Sequence, residues 1–395
     1  MRVLMVLISF DFPPDIRVEK EARALLAAGH QVTLVCENRK QRPPREMWKG
    51  IGIIRLPPQP VWWRQLNTAA LFMTLRNPLW ERRISGIVTQ EQPDAIHVHD
   101  LPFVGPGLRI ARRFGLPLVA DLHENFPAYL AARRPTTGNL LEWLSFDPAR
   151  FAAYERRVLP ACDRIIVVVE EAAERVAQLG VPLEHIFVVG NAEDVDRVPV
   201  TGSAQELPAS SLRIVYVGGV QELRGLQTAV AAMPAIVRRM PDASLVIVGD
   251  GLYQPALKAQ ARQLDMTAHV RFEGHQPFEK VHSYIRAADI CIVPHLADEL
   301  VNTTIPHKLF QYMYLGKPVV VSSARPLQRI VEESQAGFVF TSGDPVSFAE
   351  AVLQLADPAL RQKLGQNGHW AVVERYNWQR ESERLVALYR QLEQR

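Results

Sequence analysis

Three places along the chain combine a cation or an ionisable pair with backbone that lets a ligand come close. The first is IPHKLFQYMYLGKPVVVS, residues 305–322. Pro306 suits the first position of a short helix, where its missing N–H costs nothing. Leu309, Phe310 and Met313 give that helix an apolar face. Gly316 supplies a left-handed stop, and Pro318 bars the helix from running into Val319, Val320 and Val321. The helix N-terminus therefore gathers unpaired N–H groups and positive dipole just after the loop ELVNTT (299–304), with Lys308 in its first turn. That combination seats a phosphate; the other reading is a surface lysine on an ordinary helix. The second place is GGVQELRG (218–225), where Gly218 and Gly219 admit a ligand close to the backbone and Arg224 can grip a phosphate through two parallel hydrogen bonds. Together with Lys308 it makes a two-point clamp for a diphosphate. GDG (249–251), with Gly249, and the pair Gly274–His275 open further turns on the same rim. The third place is HVHD (97–100) with DLHENFP (121–127), which offers His123 and Asp100 as groups able to hold or move a proton near a reacting centre. A structurally satisfied histidine is the competing reading. His97 and His99, taken as alternating across their strand, are expected to send one ring into the core.

These residues need strand ends to position them, and the chain supplies strands in series. Val3–Ile8 reads as a strand and a helix follows from about Ile16 to Ala28, with Val18, Ala22, Leu25 and Leu26 on one face and Gly29 as its stop. Short apolar runs follow at 31–36, 95–99, 117–121, 164–169 and 185–190, with Gly, Pro or Asp after them and helical stretches between. That pattern indicates a parallel sheet covered on both faces. Residues 194–211 are polar, rich in Pro and Ser and without periodicity, as a linker is. A second alternation runs through 212–219, 244–251, 269–274, 289–294, 318–322 and 337–340, and the chain closes on a helix over 378–394. The expected fold is α/β, two doubly wound Rossmann-like domains facing each other across a cleft. The domains are expected at 1–195 and 212–375, joined by a linker at 196–211, with the terminal helix of 376–395 packing back on the first.

Composition narrows the function classes. The 395 residues are 48% apolar and 22% charged, those of a soluble globular protein with room for two cores. A net charge of +3 is too small to imply a nucleic-acid partner. Cys36, Cys162 and Cys291 lie far apart in or beside apolar runs, so they form neither a disulfide framework nor a metal site and suit a reducing cytoplasm. No pair of cysteines or carboxylates demands a metal. MRVLMVLISF lacks a cleavage signal and reads as a strand, and no run of 18 uncharged apolar residues is present. No GxGxxG follows the first strand and no Walker loop occurs, which counts against dehydrogenase and P-loop chemistry. Residues 39–83 carry ten basic residues against two acidic ones, interleaved with Trp48, Trp62, Trp63, Phe72, Met73 and Trp80. Such a surface can lie on an anionic bilayer or hold a lipid-linked substrate; the alternative is a helix packed on the sheet with a solvated basic face.

YVGG…RGL (216–226), LVIVGDG (245–251), VRFEG (270–274), IPHKLFQYMYLGKPVVVS (305–322) and YNW (376–378) together resemble the nucleotide-sugar-binding half of family 4 glycosyltransferases, retaining enzymes of the GT-B fold. FPPDIRVEKEARALLAAGHQVTLV (12–35), IHVHDLP (96–102), DLHENFP (121–127) and VVGNAEDV (188–195) resemble the acceptor side of a bacterial subgroup. The resemblance spans nearly the whole chain. It implies that Arg224 holds the donor diphosphate, with Lys308 replacing a second basic residue whose usual position is Gly219. It places Thr303 and Gln311 where many members carry glutamates, Gln311 facing the ribose and Thr303, beside Thr304, unable to supply a carboxylate. Gly218, Gly219, Gly249, His275, Thr303, Thr304 and Gln311 are then the donor-binding set, and His123 matches the family's active-site histidine. Arg17, Asp100 and Glu124 are expected on the acceptor side. The implied activity is transfer of a sugar from a nucleoside-diphosphate sugar to a glycan, lipid-linked or small-molecule acceptor in bacterial surface-glycan synthesis, with no cofactor and no metal. A cytoplasmic location, peripheral on the inner face of the membrane, goes with it. A sugar-nucleotide epimerase of the same shape and a non-catalytic nucleotide-sugar-binding subunit are the competing readings.

Overall fold

The computed structural model describes residues 1–394 except 8–10, 58–59, 61–65, 67–68, 72, 133–146, 196–197 and 199–201, and describes Phe278 by its backbone alone. The chain divides into two compact units, Met1–Gly190 with Glu381–Arg395, and Asn191–Arg380. The division falls ahead of the expected boundary at 195 because the next residues pack with the second unit. The Asn191 amide donates to Ile305 O at 3.1 Å, and the Trp378 N–H donates to Glu193 O at 2.8 Å. The terminal helix Trp378–Glu393 belongs to the first unit from Glu381 onward, with Leu385, Leu388 and Leu392 buried there.

In the first unit the strands are β1 (Arg2–Leu7), β2 (Gln31–Glu37), β3 (Arg45–Trp48), β4 (Ile51–Leu56), β5 (Ala95–His99), β6 (Leu118–Leu122), β7 (Arg164–Val167) and β8 (Ile186–Val188). Their order is β3-β4-β2-β1-β5-β6-β7-β8, parallel except where β3 runs against β4. β1, β5 and β6 are almost wholly buried, as strands covered on both faces are, and β5 and β6 take His97, His99 and Asp121 inside with them. The helix Ile16–Ala27 starts where Asp15 caps the Val18 N–H at 3.0 Å and ends ahead of Gly29, whose φ is +88°. Its buried face holds Val18, Ala22 and Leu25 as expected, and also Arg17, Lys20 and Glu21.

The basic segment 39–83 is more structured than a cationic surface helix. It opens with the β3–β4 hairpin, turned by Lys49 and Gly50, both at positive φ, the two-residue geometry that matches strand twist. Much of its charge is paired: Arg39 with Glu37, Arg45 with Glu91 and Lys49 with Glu19. Arg55 is buried against Glu46. Trp48 packs edge-on against Phe12, and Trp80 is buried. Trp62, Trp63, Arg64 and Phe72 lie outside the described residues.

The second unit contains β9 (Leu212–Val217), β10 (Ala243–Val248), β11 (Val270–Gly274), β12 (Ile290–Val293), β13 (Val319–Ser322) and β14 (Gly337–Phe340), all parallel in the order β11-β10-β9-β12-β13-β14. One helical layer buries its apolar face on this sheet through Leu226, Val230, Met233, Phe348 and Val352. The short helix runs His307–Tyr314, with Leu309, Phe310 and Met313 buried and Gly316 at φ +68°. Pro306 is not its first helical residue as expected. It is the N-cap, with extended backbone (ψ 135°), and its carbonyl accepts from the Leu309 N–H.

Two glycines at the carboxyl end of this sheet behave differently. Gly225 has φ +68°, and a β-carbon there would be driven into the Pro294 carbonyl oxygen, whereas one at Gly219 meets nothing within 4 Å. Gly225→Ala is therefore expected to destabilise the second unit by roughly 2 kcal/mol or more, and Gly219→Ala by less than about 0.5 kcal/mol. Urea unfolding of the two variants checks this; equal midpoints would contradict it.

Candidate functional site

The strand order of the second unit reverses between β9 and β12, and in an open parallel sheet the crevice lies outside the carboxyl ends at such a point. β9 ends in Gly218 and Gly219, β12 in Pro294 and His295. The rim is knitted by backbone. Gly218 N–H donates to Val248 O and Gly249 N–H to Gly274 O, each at 2.8 Å. A β-carbon on Gly249 would strike the Gly218 carbonyl, and one on Gly218 would come within 2.5 Å of Lys308 Nζ. Gly249 is thus required for close approach and for its φ of +136°, and Gly218 for its φ of +132° as well as for room beside Lys308.

Two cations converge on this rim. Tyr312 of the short helix accepts the Val217 N–H at 2.8 Å, which pins that helix to the end of β9. Lys308 Nζ then lies over the Tyr216 ring, 3.9 Å from its centre, while the Tyr216 hydroxyl donates to Gly219 O at 2.8 Å. The turn Glu222–Arg224 is tied to the loop after β12 by the Leu296 N–H, which donates to Leu223 O at 3.0 Å. That bond sets Arg224 Nη1 3.5 Å from His295 Nε2. Among the described residues no carboxylate pairs with Arg224 or Lys308. Burial, then Arg224, pushes the Lys308 ammonium well below its ordinary range. Burial, then Lys308 and Arg224, does the same to His295, which is 1% exposed. The expected clamp residues are therefore together, with His295, which sequence reasoning passed over, between them. Its one sequence signal is a polar residue directly after a strand and Pro294.

The remaining expected donor residues are spread along the same carboxyl edge. His275 is exposed after Gly274, and Thr304 and Gln311 are half-buried around the short helix. Thr303 is 8% exposed and spends its hydroxyl inside its own turn, on Glu299 O at 2.8 Å and Leu300 O at 3.2 Å.

The first unit centres on Asp121, fully buried at the end of β6. Oδ1 accepts from Arg17 Nη2 at 2.9 Å; Oδ2 lies 2.8 Å from His123 Nε2 and 3.0 Å from His99 Nδ1. Burial works against the Asp121 anion, but Arg17 and His123 outweigh it and hold the carboxyl well below its usual range. His123 is likewise opposed by burial, yet Asp100, 3.5 Å from its Nδ1, and Asp121 raise it to about 10. His123 is thus an imidazolium whose two nitrogens face carboxylates, with 22% of the side chain exposed. Asp100 has φ +68° and ψ 145°, a conformation that costs a non-glycine residue about 1–3 kcal/mol and gathers at functional sites. Arg17, expected as an acceptor contact, lies beneath this surface: it is 6% exposed and spends its guanidinium on Asp121, Glu21 and Val189 O. Glu124 is half-buried beside His123.

The expectation that His97 and His99 face opposite ways is wrong. Residues two apart on a strand share a face, and both rings are buried and stacked with centres 4.5 Å apart. His97 Nδ1 meets the Tyr389 hydroxyl at 2.8 Å, and burial, then His99, lowers its pKa to about 4. Glu21 is pushed up to about 8, by burial first and against Arg17. Glu21, Asp121, His97 and His99 hold donor atoms within 4.8 Å of one another, a metal-like set. Arg17 Nη2, however, already stands 2.9 Å from both carboxylates, so the cation this cluster needs is part of the chain. Arg17 and Glu21, four apart beside the Val18–Ala22–Leu25 stripe, were the sequence signal for a buried pair.

The two doubly wound units have the GT-B fold. Sucrose-phosphate synthase from Thermosynechococcus elongatus shares the fold with a TM-score of 0.77 at 21% identity, over 99% of this chain and 98% of that one. HepE of Anabaena, solved with UDP-glucose, does so with a TM-score of 0.70 at 16% identity, over 99% and 100%. The family model described as Glycosyltransferase Family 4 matches residues 16–197, and that described as Glycosyl transferases group 1 matches 211–357. The chain belongs to glycosyltransferase family 4. Among its relatives, glycogen synthase from Mycobacterium tuberculosis is 24% identical over 96% of this chain and 92% of its own length. D-inositol 3-phosphate glycosyltransferase 1 from Catenulispora acidiphila is 24% identical over 95% and 90%.

The His123 geometry fixes a sign. Its folded pKa of about 10 lies above the ordinary 6.5. Its contribution to stability is therefore complete below pH 6.5 and is lost as pH rises through about 10. In NMR titrations the wild-type His123 ring is expected to stay protonated across pH 6–8 and Asp100→Asn to bring its titration down toward that range. A wild-type ring that deprotonates below pH 7 would refute the assignment.

Proposed function

We propose that this glycosyltransferase is a retaining, metal-independent enzyme that takes its sugar from a nucleoside-diphosphate sugar. The observation that carries the reading is the pair Arg224 and Lys308, unneutralised among the described residues, beside Gly218 and Gly219 at the switch point. Pre-placed cations of this kind act on a leaving diphosphate, whose charge grows as the anomeric C–O bond breaks. The acceptor hydroxyl forms the new bond on the face the diphosphate leaves, and its proton passes to the departing phosphate oxygen. His123, held as an imidazolium by Asp100 and Asp121, serves as a fixed positive charge and hydrogen-bond donor near the sugar rather than as a base. Gly249, His275, Thr304 and Gln311 line the donor side. Asp100 and Glu124 face the acceptor, and Arg17 acts through Asp121. The relatives named as glycogen synthase and inositol phosphate glycosyltransferase support a polyhydroxylated acceptor. A glycan or lipid-linked acceptor of a bacterial surface polymer is the reading we adopt.

A thermal-shift panel of UDP, GDP, ADP and dTDP, with and without Mg²⁺, tests the donor site. One base at about 100 times its Kd is expected to add about 2.7 kcal/mol of stability, equally with and without metal. Lys308→Ala is expected to cost ~2–3 kcal/mol in kcat/KM. An unchanged value would remove Lys308 from the site. Binding without turnover on any acceptor would instead favour a non-catalytic partner subunit, the reading that Thr303's internally spent hydroxyl supports.

We further propose that the protein works at the cytoplasmic face of an anionic membrane, using arginines of the 39–83 segment, of which Arg76 and Arg82 are exposed. Arg64→Glu, Arg76→Glu and Arg82→Glu combined are expected to abolish flotation with phosphatidylglycerol liposomes; flotation that persists would refute this.

A further inference from the structure

The rim of the second unit holds one more nitrogen base than a two-point clamp needs. His295 closes β12 and is 1% exposed. Its neighbours are Arg224, with Nη1 at 3.5 Å from Nε2, and Lys308, a positive neighbour felt strongly enough to depress it. Tyr216, beneath Lys308, has already given its hydroxyl proton to Gly219 O. No carboxylate faces this group among the described residues. A guanidinium always donates, so the nitrogen that meets Arg224 carries the lone pair and the ring proton sits on Nδ1. The ring is therefore a neutral imidazole serving as the acceptor that parks Arg224 while no anion is present.

We propose that His295 is the third nitrogen of the diphosphate seat and takes up a proton at Nε2 when the diphosphate binds. The inference rests on the donor-site reading above and assigns the seat its proton linkage. A diphosphate oxygen is a stronger acceptor for the Arg224 N–H than an imidazole is. As Arg224 turns to it, Nε2 is left with a lone pair in a pocket that now contains two negative phosphates. A proton from solvent on Nε2 converts that lone pair into an N–H donor, and the seat then offers three charge-assisted donors. The same anion cancels the field of Arg224 and Lys308 and adds its own negative charge beside the ring, which opposes the burial that otherwise keeps His295 neutral. The consequence reaches product release: raising the pH strips the third donor and loosens the diphosphate.

Calorimetry with the full chain tests this, using UDP, GDP or ADP, whichever stabilises it, in two phosphate-free buffers of different ionisation enthalpy at pH 7.5. Wild type is expected to take up a fraction of a proton per diphosphate, with affinity falling by up to about tenfold per pH unit above neutrality. His295→Gln, which keeps an acceptor for Arg224, is expected to bind the same nucleotide with that uptake lost. Comparing the two at one pH cancels any proton the nucleotide itself gains or loses. Uptake equal in both proteins would assign the proton to Lys308 and overturn the proposal, as would a wild type that binds with none. Failure of all three nucleotides to bind would sink the donor-site reading and this inference with it. If His295→Gln misfolds, ¹⁵N-histidine spectra of wild type decide. An imidazolium signal appearing on a buried ring as the nucleotide is added supports the inference, and a ring that stays neutral in the complex overturns it.

Discussion

The second unit is built around positive charge that nothing in its described residues neutralises. Drawing a cation partly out of water without a counter-charge is unfavourable, and desolvation, then Arg224, holds the pKa of half-buried Lys308 well below its ordinary value. What the chain offers in place of a carboxylate is weaker and neutral: the face of Tyr216 for Lys308, the lone pair of His295 for Arg224. Each of these placements depends on backbone. Gly218 leaves room for Nζ, Gly225 lets the arginine turn lie against Pro294, and the Tyr312 hydroxyl anchors the short helix to the end of β9. A site that keeps two cations underpaid in this way binds an anion with little reorganisation, because the cost of bringing the charges together was met on folding.

The first unit answers the same electrostatic question the other way. Its charges are neutralised from within, through an Asp121 carboxylate that meets Arg17, His99 and His123 at once. Removing one member of such a network strands its partners in a low-dielectric interior, so the members stand or fall together. The network still leaves one group at the surface, and it leaves it charged: His123, fixed between two aspartates. The strained backbone of Asp100 is part of that arrangement, since the Asp100 N–H donates to Asp121 O at 2.8 Å while its side chain turns to the ring.

Most of the sheet framework was legible because buried parallel strands announce themselves as short apolar runs ending in Gly, Pro or Asp. β5 falls on the very residues expected, 95–99, and β13 and β14 within the runs at 318–322 and 337–340. The β3–β4 hairpin was missed although its signal was present. REMW and IGIIRL are joined by Lys49-Gly50, a two-residue turn, but the density of arginine and tryptophan around them is also the pattern of a cationic surface. Arg55 shows why charge counting misleads there, since it is buried against Glu46 and the carbonyls of Phe12 and Pro43. Of the clamp, Arg224, Lys308 and the glycines could be read from type and spacing. His295 and the Arg17–Asp121 link could not, because they depend on which strand ends and helix faces become neighbours in three dimensions.

The two electrostatic designs together constrain where a proton can go. Both ring nitrogens of His123 face carboxylates and its pKa stands near 10, so it has no lone pair to offer an acceptor hydroxyl at neutral pH. Asp121 is held as an anion but lies fully buried with both oxygens engaged, and Glu21, pushed up to about 8, is fully buried as well. Asp100 is the carboxylate of this cluster with access to solvent, yet its lone pairs are directed at the imidazolium that needs them. Thr303, where a carboxylate might have stood in the other unit, carries only a hydroxyl already given to its own turn. Under the proposed reaction this leaves the departing phosphate as the strongest base present. An oxygen that gains charge as its bond to the sugar breaks becomes basic at the moment the acceptor loses its proton. The cations around it then have to be strong enough to draw the diphosphate away and weak enough to leave that oxygen its basicity. A histidine whose protonation follows the anion, as proposed for His295, meets that requirement better than a second arginine would.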